Sequence, residues 1–198
     1  MRIKILNIHL LYFLLFSNIV FSQNFVDEFI EHYNGFDDYL LEFEYISKNN
    51  DEIIFKNEGV IMSQKNKFRI LIDKVIFIYD GKKYYNIINE NKEVNISKTN
   101  ELSNYLIPTN LSKYISNNRD KIKVVMNTDI KILYTDDSNN NFIIVIDKNY
   151  NIIRIDQLLT NTYTNSIFFK KTLFNQNLSD SLFKFKKMDF KDYYINEL

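Results

Sequence analysis

The chain has 198 residues, with 25 Lys+Arg against 25 Asp+Glu, three glycines, one proline and no cysteine. This length suits one domain with a sizeable core and is short for two. The balanced charge gives no bulk reason for a nucleic-acid partner. The lack of cysteine excludes disulfides, zinc-thiolate sites and cysteine nucleophiles. Aromatic residues make up 16% of the chain, which with so little glycine and proline fits packed strands rather than disorder.

Residues 1–22, MRIKILNIHLLYFLLFSNIVFS, place Arg2 and Lys4 before an apolar stretch and end with Val20 and Ser22. That pattern predicts a secretory signal peptide cut before Gln23, leaving 23–198 as one domain. A membrane anchor is the competing reading, but Asn7, His9 and Asn18 interrupt a segment near the lower length limit for a span. Removing Arg2 and Lys4 from the 25 basic residues leaves 23 against 25 acidic ones, a net charge of −2. The exported chain has no cysteine to carry a lipid anchor, so it is not expected to be a lipoprotein itself.

After Asn24, a possible cap, residues Phe25, Val26, Phe29, Ile30 and Tyr33 recur at helical spacing, with Asp27 and Glu28 in the first turn and Gly35 at the end. From Tyr39 the period becomes two: Leu41, Phe43 and Tyr45 alternate with Glu42 and Glu44. Further strands are predicted over 52–63, 67–73, 75–79, 83–88 and 92–97, as a meander of hairpins. Leu102, Tyr105 and Leu106, then Leu111, Tyr114 and Ile115, fall at helical spacing on either side of Pro108. Two short helices meeting near Pro108 fit better than one long one, because proline is tolerated in a first turn and breaks an interior. Strands resume over 121–126, 130–135, 141–147, 151–159 and 163–174, and LFKFKK is predicted as a last short one.

The expected fold is mainly β (α+β), with about eleven strands in a strongly curled antiparallel sheet. So many strands exceed a flat sheet's usual size, which points to an incomplete barrel. VIFIY and FIIVI do not alternate, which predicts that both faces of these strands lie away from water. The helical stripe after Asn24 and the insertion around Pro108 are the segments available to cover the inner side. A half-barrel under short helices is a hydrophobic container.

No catalytic, metal or cofactor site is predicted. After cleavage His32 is the single histidine, read as a surface residue on the polar side of the first helix. Asp37-Asp38 and Asp136-Asp137 read as solvated turn formers. No nucleophile elbow, zinc-protease or phosphate-loop motif is present.

The stretch EGVIMSQKNKFRILIDKVIFIYDGKKYYNIINENKEVNISKTNE resembles the LolA-like periplasmic carriers of outer-membrane lipoproteins. Gly59 opens a strand, Lys65 sits in a basic turn, Phe68 follows, and Asp80-Gly81-Lys82 precedes the aromatic Tyr84-Tyr85; LFKF at 182–185 resembles the family's C-terminal strand. The resemblance implies an incomplete barrel with a helical lid in the periplasm, no enzymatic activity and no cofactor. Its implied partners are lipoprotein acyl chains, an inner-membrane release complex and an outer-membrane acceptor, with no nucleic acid and the protein a monomer. The implied lipid-binding rim is Lys65, Phe68, Arg69, Leu41, Phe43 and Tyr45, and the implied lid is Leu102, Tyr105, Leu106 and Ile107. Lys65 is the nearest match to the family's lid-contacting arginine, although the turn is a residue shorter and lacks proline; Arg69 is the other candidate. A lysine cannot reproduce arginine's forked donor geometry. Two readings of the basic turn stand: a rim that meets lid carbonyls or lipid head groups, or a solvated hairpin turn with Phe68 in the core. A secreted β-rich structural or interaction domain without lipid cargo is the alternative function.

Overall fold

The alternation that begins near Tyr39 becomes a long β1 (Asp38–Asn49) in the computed structural model, which describes residues 24–98, 108–126, 129–135 and 141–197. Before it comes α1 (24–34). The meander follows as β2 (Glu52–Gln64), β3 (Lys67–Ile72), β4 (Val75–Tyr79), β5 (Tyr84–Ile88) and β6 (Glu93–Ser97). Pro108 opens α2 (Pro108–Asn117), where a missing N–H costs nothing. The rest of the sheet is β7 (Ile122–Met126), β8 (Ile130–Thr135), β9 (Asn141–Ile146), β10 (Ile152–Leu158) and β11 (Tyr163–Phe174), then a short β12 (Tyr194–Glu197). Among the described residues no helix is long and apolar enough to cross a membrane.

All twelve strands form one open, curled sheet in the order β12-β6-β5-β4-β3-β2-β1-β11-β10-β9-β8-β7. Neighbours are antiparallel except β12, which runs parallel to β6. Register shifts at Glu42/Phe43, Ser47/Lys48 and Ile152/Arg154 add local twist where the central strands must bend. The result is an incomplete barrel carrying helices on its inner face, as expected.

Both described helices lie over one half of that face. Phe25, Val26, Phe29 and Tyr33 of α1, with Leu111 and Ile115 of α2, pack on Ile132, Tyr134, Phe142, Ile144, Ile146, Ile152 and Ile155 of β8–β10. The predicted stripes thus face the core, although Asn24 donates to Glu28 Oε1 (3.2 Å) from within the helix. Over the other half, Tyr39, Leu41, Phe43, Ile61, Phe68 and Ile70 form a second cluster. Phe169 and Phe174 touch both.

The outer face explains why VIFIY does not alternate. Ile76 and Ile78 of β4 point outward with Ile87, Val94 and Ile96, and the chain after β11 covers them with Phe185, Phe190, Tyr193 and Ile195. Tyr85 stacks on Phe185 (centroids 4.7 Å) and Phe185 on Phe190 (5.3 Å). LFKF is therefore not a strand: Asp180–Phe183 forms a 3-10 turn, and the final strand is β12. The pattern of LFKF was right for one buried face, but the residues serve as a cover rather than as a sheet member. In FIIVI, Phe142, Ile144 and Ile146 face the helices, and Val145 lies outward in register with Lys131 and Arg154.

Asp38 holds this cover in place. It is 3% exposed, contrary to the expectation of a solvated turn former, while Asp37 is exposed; Asp136 and Asp137 lie outside the described residues. The Asp38 carboxylate accepts the backbone N–H of Gln176 (2.6 Å) and of Leu178 (2.9 Å), and its carbonyl accepts that of Asn175 (2.9 Å). Asn175 and Asn177 adopt left-handed backbone (φ 52° and 55°), which asparagine tolerates, so the chain turns across the sheet here. Asp38→Ala should destabilise the protein by about 2–4 kcal/mol, since charge-assisted bonds are lost and their donors stranded. Denaturant unfolding measures this, with amide exchange in β12 expected to accelerate; unchanged stability and exchange would count against the anchor.

Candidate functional site

Side chains on a strand alternate, and the register of β1 to β5 lines up the inward ones in rows. Phe43 stands opposite Gly59, and Gly59 opposite Ile72; Leu41, Ile61, Ile70 and Phe77 form the next row. The following row runs Tyr39, Ser63, Phe68, Tyr79, Tyr84. Gly59 is needed because a Cβ there would lie 2.5 Å from both the Leu71 carbonyl oxygen and the Phe43 ring. The Phe43 ring crosses β2 where a side chain would stand.

The last row ends in an aromatic floor. Phe68 lies 5.7 Å from Tyr79 and 6.1 Å from Tyr84, and the two tyrosines stack at 4.3 Å. Asn110, Lys113 and Tyr114 of α2 face this floor at i, i+3, i+4 spacing, which puts them on one side of a helix. Together with Asn66 they line an open cavity of about 340 Å³. Burial pushes the Tyr79 hydroxyl up, so it stays a protonated donor at neutral pH. Among the described residues no group of His, Cys, Asp and Glu could hold a metal ion.

The residues singled out from sequence separate by face. Phe68 is 2% exposed and lines the cavity. Leu41 and Phe43 are buried in the adjoining cluster, and Tyr45 packs beside them, 5.8 Å from Phe55 in an edge-on arrangement. Arg69, one residue after Phe68, points outward, where Nη1 donates to the Leu182 carbonyl (3.2 Å). Burial lowers its pKa, yet a guanidinium keeps its charge. Lys67 also points outward and pairs with Asp180, so it is no solvated turn residue. Lys184 (2.7 Å) and Lys67 hold the Asp180 carboxyl down to about 2. Lys65 stays exposed in the turn with φ 54°. Leu102, Tyr105, Leu106 and Ile107 lie outside the described residues.

Asn66, Tyr79, Tyr84, Asn110, Lys113 and Tyr114 were not among the expected site residues. One signal was present: Tyr79 and Tyr84 flank the Asp80–Lys83 turn symmetrically, so any tight hairpin there places them side by side. Nothing in the local pattern of α2 says which strands it faces.

Solved structures similar to this chain include an uncharacterized conserved protein from Thermus thermophilus, with TM-score 0.58 and 10% identity over 87% of this chain and 98% of that one. A candidate outer membrane lipoprotein-sorting protein domain from Vibrio parahaemolyticus has TM-score 0.48 and 12% identity over 86% of this chain and 98% of that one. A LolA superfamily protein from Nitrosomonas europaea has TM-score 0.47 and 8% identity over 82% of this chain and 98% of that one. No protein-family model and no curated sequence matches the chain. The Thermus likeness shows a shared fold.

His32 is not a plain surface residue. Its ring sits among Tyr33 (5.1 Å), Phe36 (5.0 Å), Phe174 (5.6 Å) and Tyr150 (5.8 Å), and burial lowers its pKa while Asp147 works in the opposite sense. A histidine whose folded pKa lies below its unfolded value binds fewer protons when folded, so stability falls as pH drops through about 6.5 and levels off below the folded pKa. His32→Phe should flatten that part of the stability-versus-pH curve. Thermal melts of both proteins across mildly acidic pH test this; an identical slope would show that His32 does not contribute.

Proposed function

We propose that this protein is a periplasmic carrier that shields acyl chains of lipoproteins between the inner and outer membranes. The observation that carries the reading is the cavity, with Phe68, Tyr79 and Tyr84 as its floor and α2 as its roof. The sequence resemblance to LolA-like carriers supports the same conclusion, as does the export pattern of residues 1–22. The role is non-enzymatic. Release from an inner-membrane complex and delivery to an outer-membrane acceptor complete the proposal, with the carrier acting as a monomer.

At about 0.8 kcal/mol per CH₂, one long acyl chain gains on the order of 10 kcal/mol from being shielded. A cavity of 340 Å³ stands near the lower end of ligand-site volumes. Loading a long chain therefore requires the roof to move. We assign that motion to α2 and the segment before it, with Leu102, Tyr105, Leu106 and Ile107 as the lid that competes with cargo. The alternative, a secreted β-rich interaction domain, would use the same cavity for no ligand.

A fluorescent acyl probe and native mass spectrometry of protein isolated from the periplasm separate the two. Bound lipid or lipoprotein is expected; a uniformly empty protein that ignores acyl probes would sink the carrier reading. Phe68→Ser and the milder Tyr84→Ser should weaken probe binding. Leu106→Ser should lower stability by about 1–3 kcal/mol while probe affinity holds or rises, because the closed form is disfavoured. If all three merely unfold the protein in parallel, at constant affinity per folded molecule, these residues are core and there is no lid.

A further inference from the structure

The polar side of the cavity is one-signed. Lys113 of α2 lines it and is exposed. Lys65 immediately precedes the lining residue Asn66. The Asp80–Lys83 turn lies against the same Asn66, whose side chain would be 3.3 Å from a Cβ on Gly81; this brings Lys82 to the same rim. Among the described residues none of these three lysines forms a salt bridge, whereas their neighbours Lys67 and Lys83 pair with Asp180 and Glu197.

The carboxylate in the same turn as Lys82 is otherwise engaged. Asp80 Oδ1 accepts the N–H groups of Lys82 (2.8 Å) and Lys83 (2.9 Å), and Oδ2 accepts the Tyr85 hydroxyl (2.9 Å) on the outer side of the sheet. Lys82 adds an attraction at a distance to that carboxylate. Lys113 thus stands over an aromatic floor with no acidic side chain in the cavity lining, and the turns that carry Lys65 and Lys82 border it. Ammonium groups beside an apolar pocket with low-dielectric walls focus potential on its mouth.

We propose that the cavity selects amphiphiles with an anionic head, a carboxylate or a phosphate, with Lys113 as the principal partner of the head and Lys65 and Lys82 at the rim. The tail lies over Phe68, Tyr79 and Tyr84, and Asn66 supplies an amide donor beside the head. This rests on the acyl-chain shielding of the reading above and adds a further class of cargo, amphiphiles with a charged head.

Competition against a fluorescent acyl probe tests it, using dodecanoate, dodecyl phosphate, 1-dodecanol and inorganic phosphate. The anionic amphiphiles should compete about tenfold better than the alcohol at low ionic strength, a preference that shrinks as salt rises. Lys113→Gln should reduce the ratio of anionic to alcohol affinity by about threefold or more, and Lys65→Gln with Lys82→Gln should reduce it further. The two anionic arms report whether carboxylate or phosphate is preferred. If the alcohol competes as well as the anions, or the ratio ignores all three lysines, head selection is wrong while acyl carriage stands. Inorganic phosphate competing alone at comparable concentration would mean a free-anion site and would overturn the amphiphile. No displaceable probe binding at all would remove acyl carriage and this inference together.

Discussion

Two backbone N–H groups bonded to the buried carboxylate of Asp38 set the path of the chain after β11, and much else depends on that path. A sheet this long cannot leave apolar residues on an open outer face without inviting association. Here Ile76, Ile78, Ile87 and Val94 would be such residues. The segment from Gln176 to Tyr193 covers them, and it can do so because Asp38 holds it where it crosses from the end of β11. Further down, Gln64 donates to the Leu178 carbonyl (2.8 Å), Arg69 to that of Leu182, and Lys67 pairs with Asp180. These contacts carry the cover along β2 and β3 to its aromatic stack on Tyr85.

The inner face is covered differently, and the difference leaves room for a ligand. α1 and α2 bury their stripes on β8–β10, so the floor built by β3–β5 meets only the edge of α2. Packing is tight on one side of that seam and open on the other. The cavity lies at this seam, between a half of the barrel filled by helices and a half filled by its own side chains.

Strand geometry also sorts the basic run of the β2–β3 hairpin. Lys67 and Arg69 have the outward parity and serve the outer cover; Phe68 has the inward parity and serves the floor. Lys65, in the left-handed turn, belongs to neither face. The charge concentration around Phe68 is thus two populations that share a sequence but not a surface. Only the part left at the turn borders the cavity, which Lys113 lines from a helix more than forty residues away in the chain.

The local pattern by itself determined α1, the eleven strands through Phe174 and the helix opened by Pro108, because each is marked by a one-face repeat or, in VIFIY and FIIVI, by an apolar run of strand length. It also put Leu41 and Phe43 together on one apolar strand face. It could not place LFKF or Asp38, because an apolar run reads alike as a strand or as a cover, and a buried carboxylate is recognised only by the donors that reach it from 138 and 140 residues away. His32 was misread for the same reason: Tyr150 and Phe174, which enclose its ring, come from segments far along the chain. The cavity itself was decided by tertiary structure, since Lys113 and Tyr84 share a wall only after twelve strands have curled and α2 has docked.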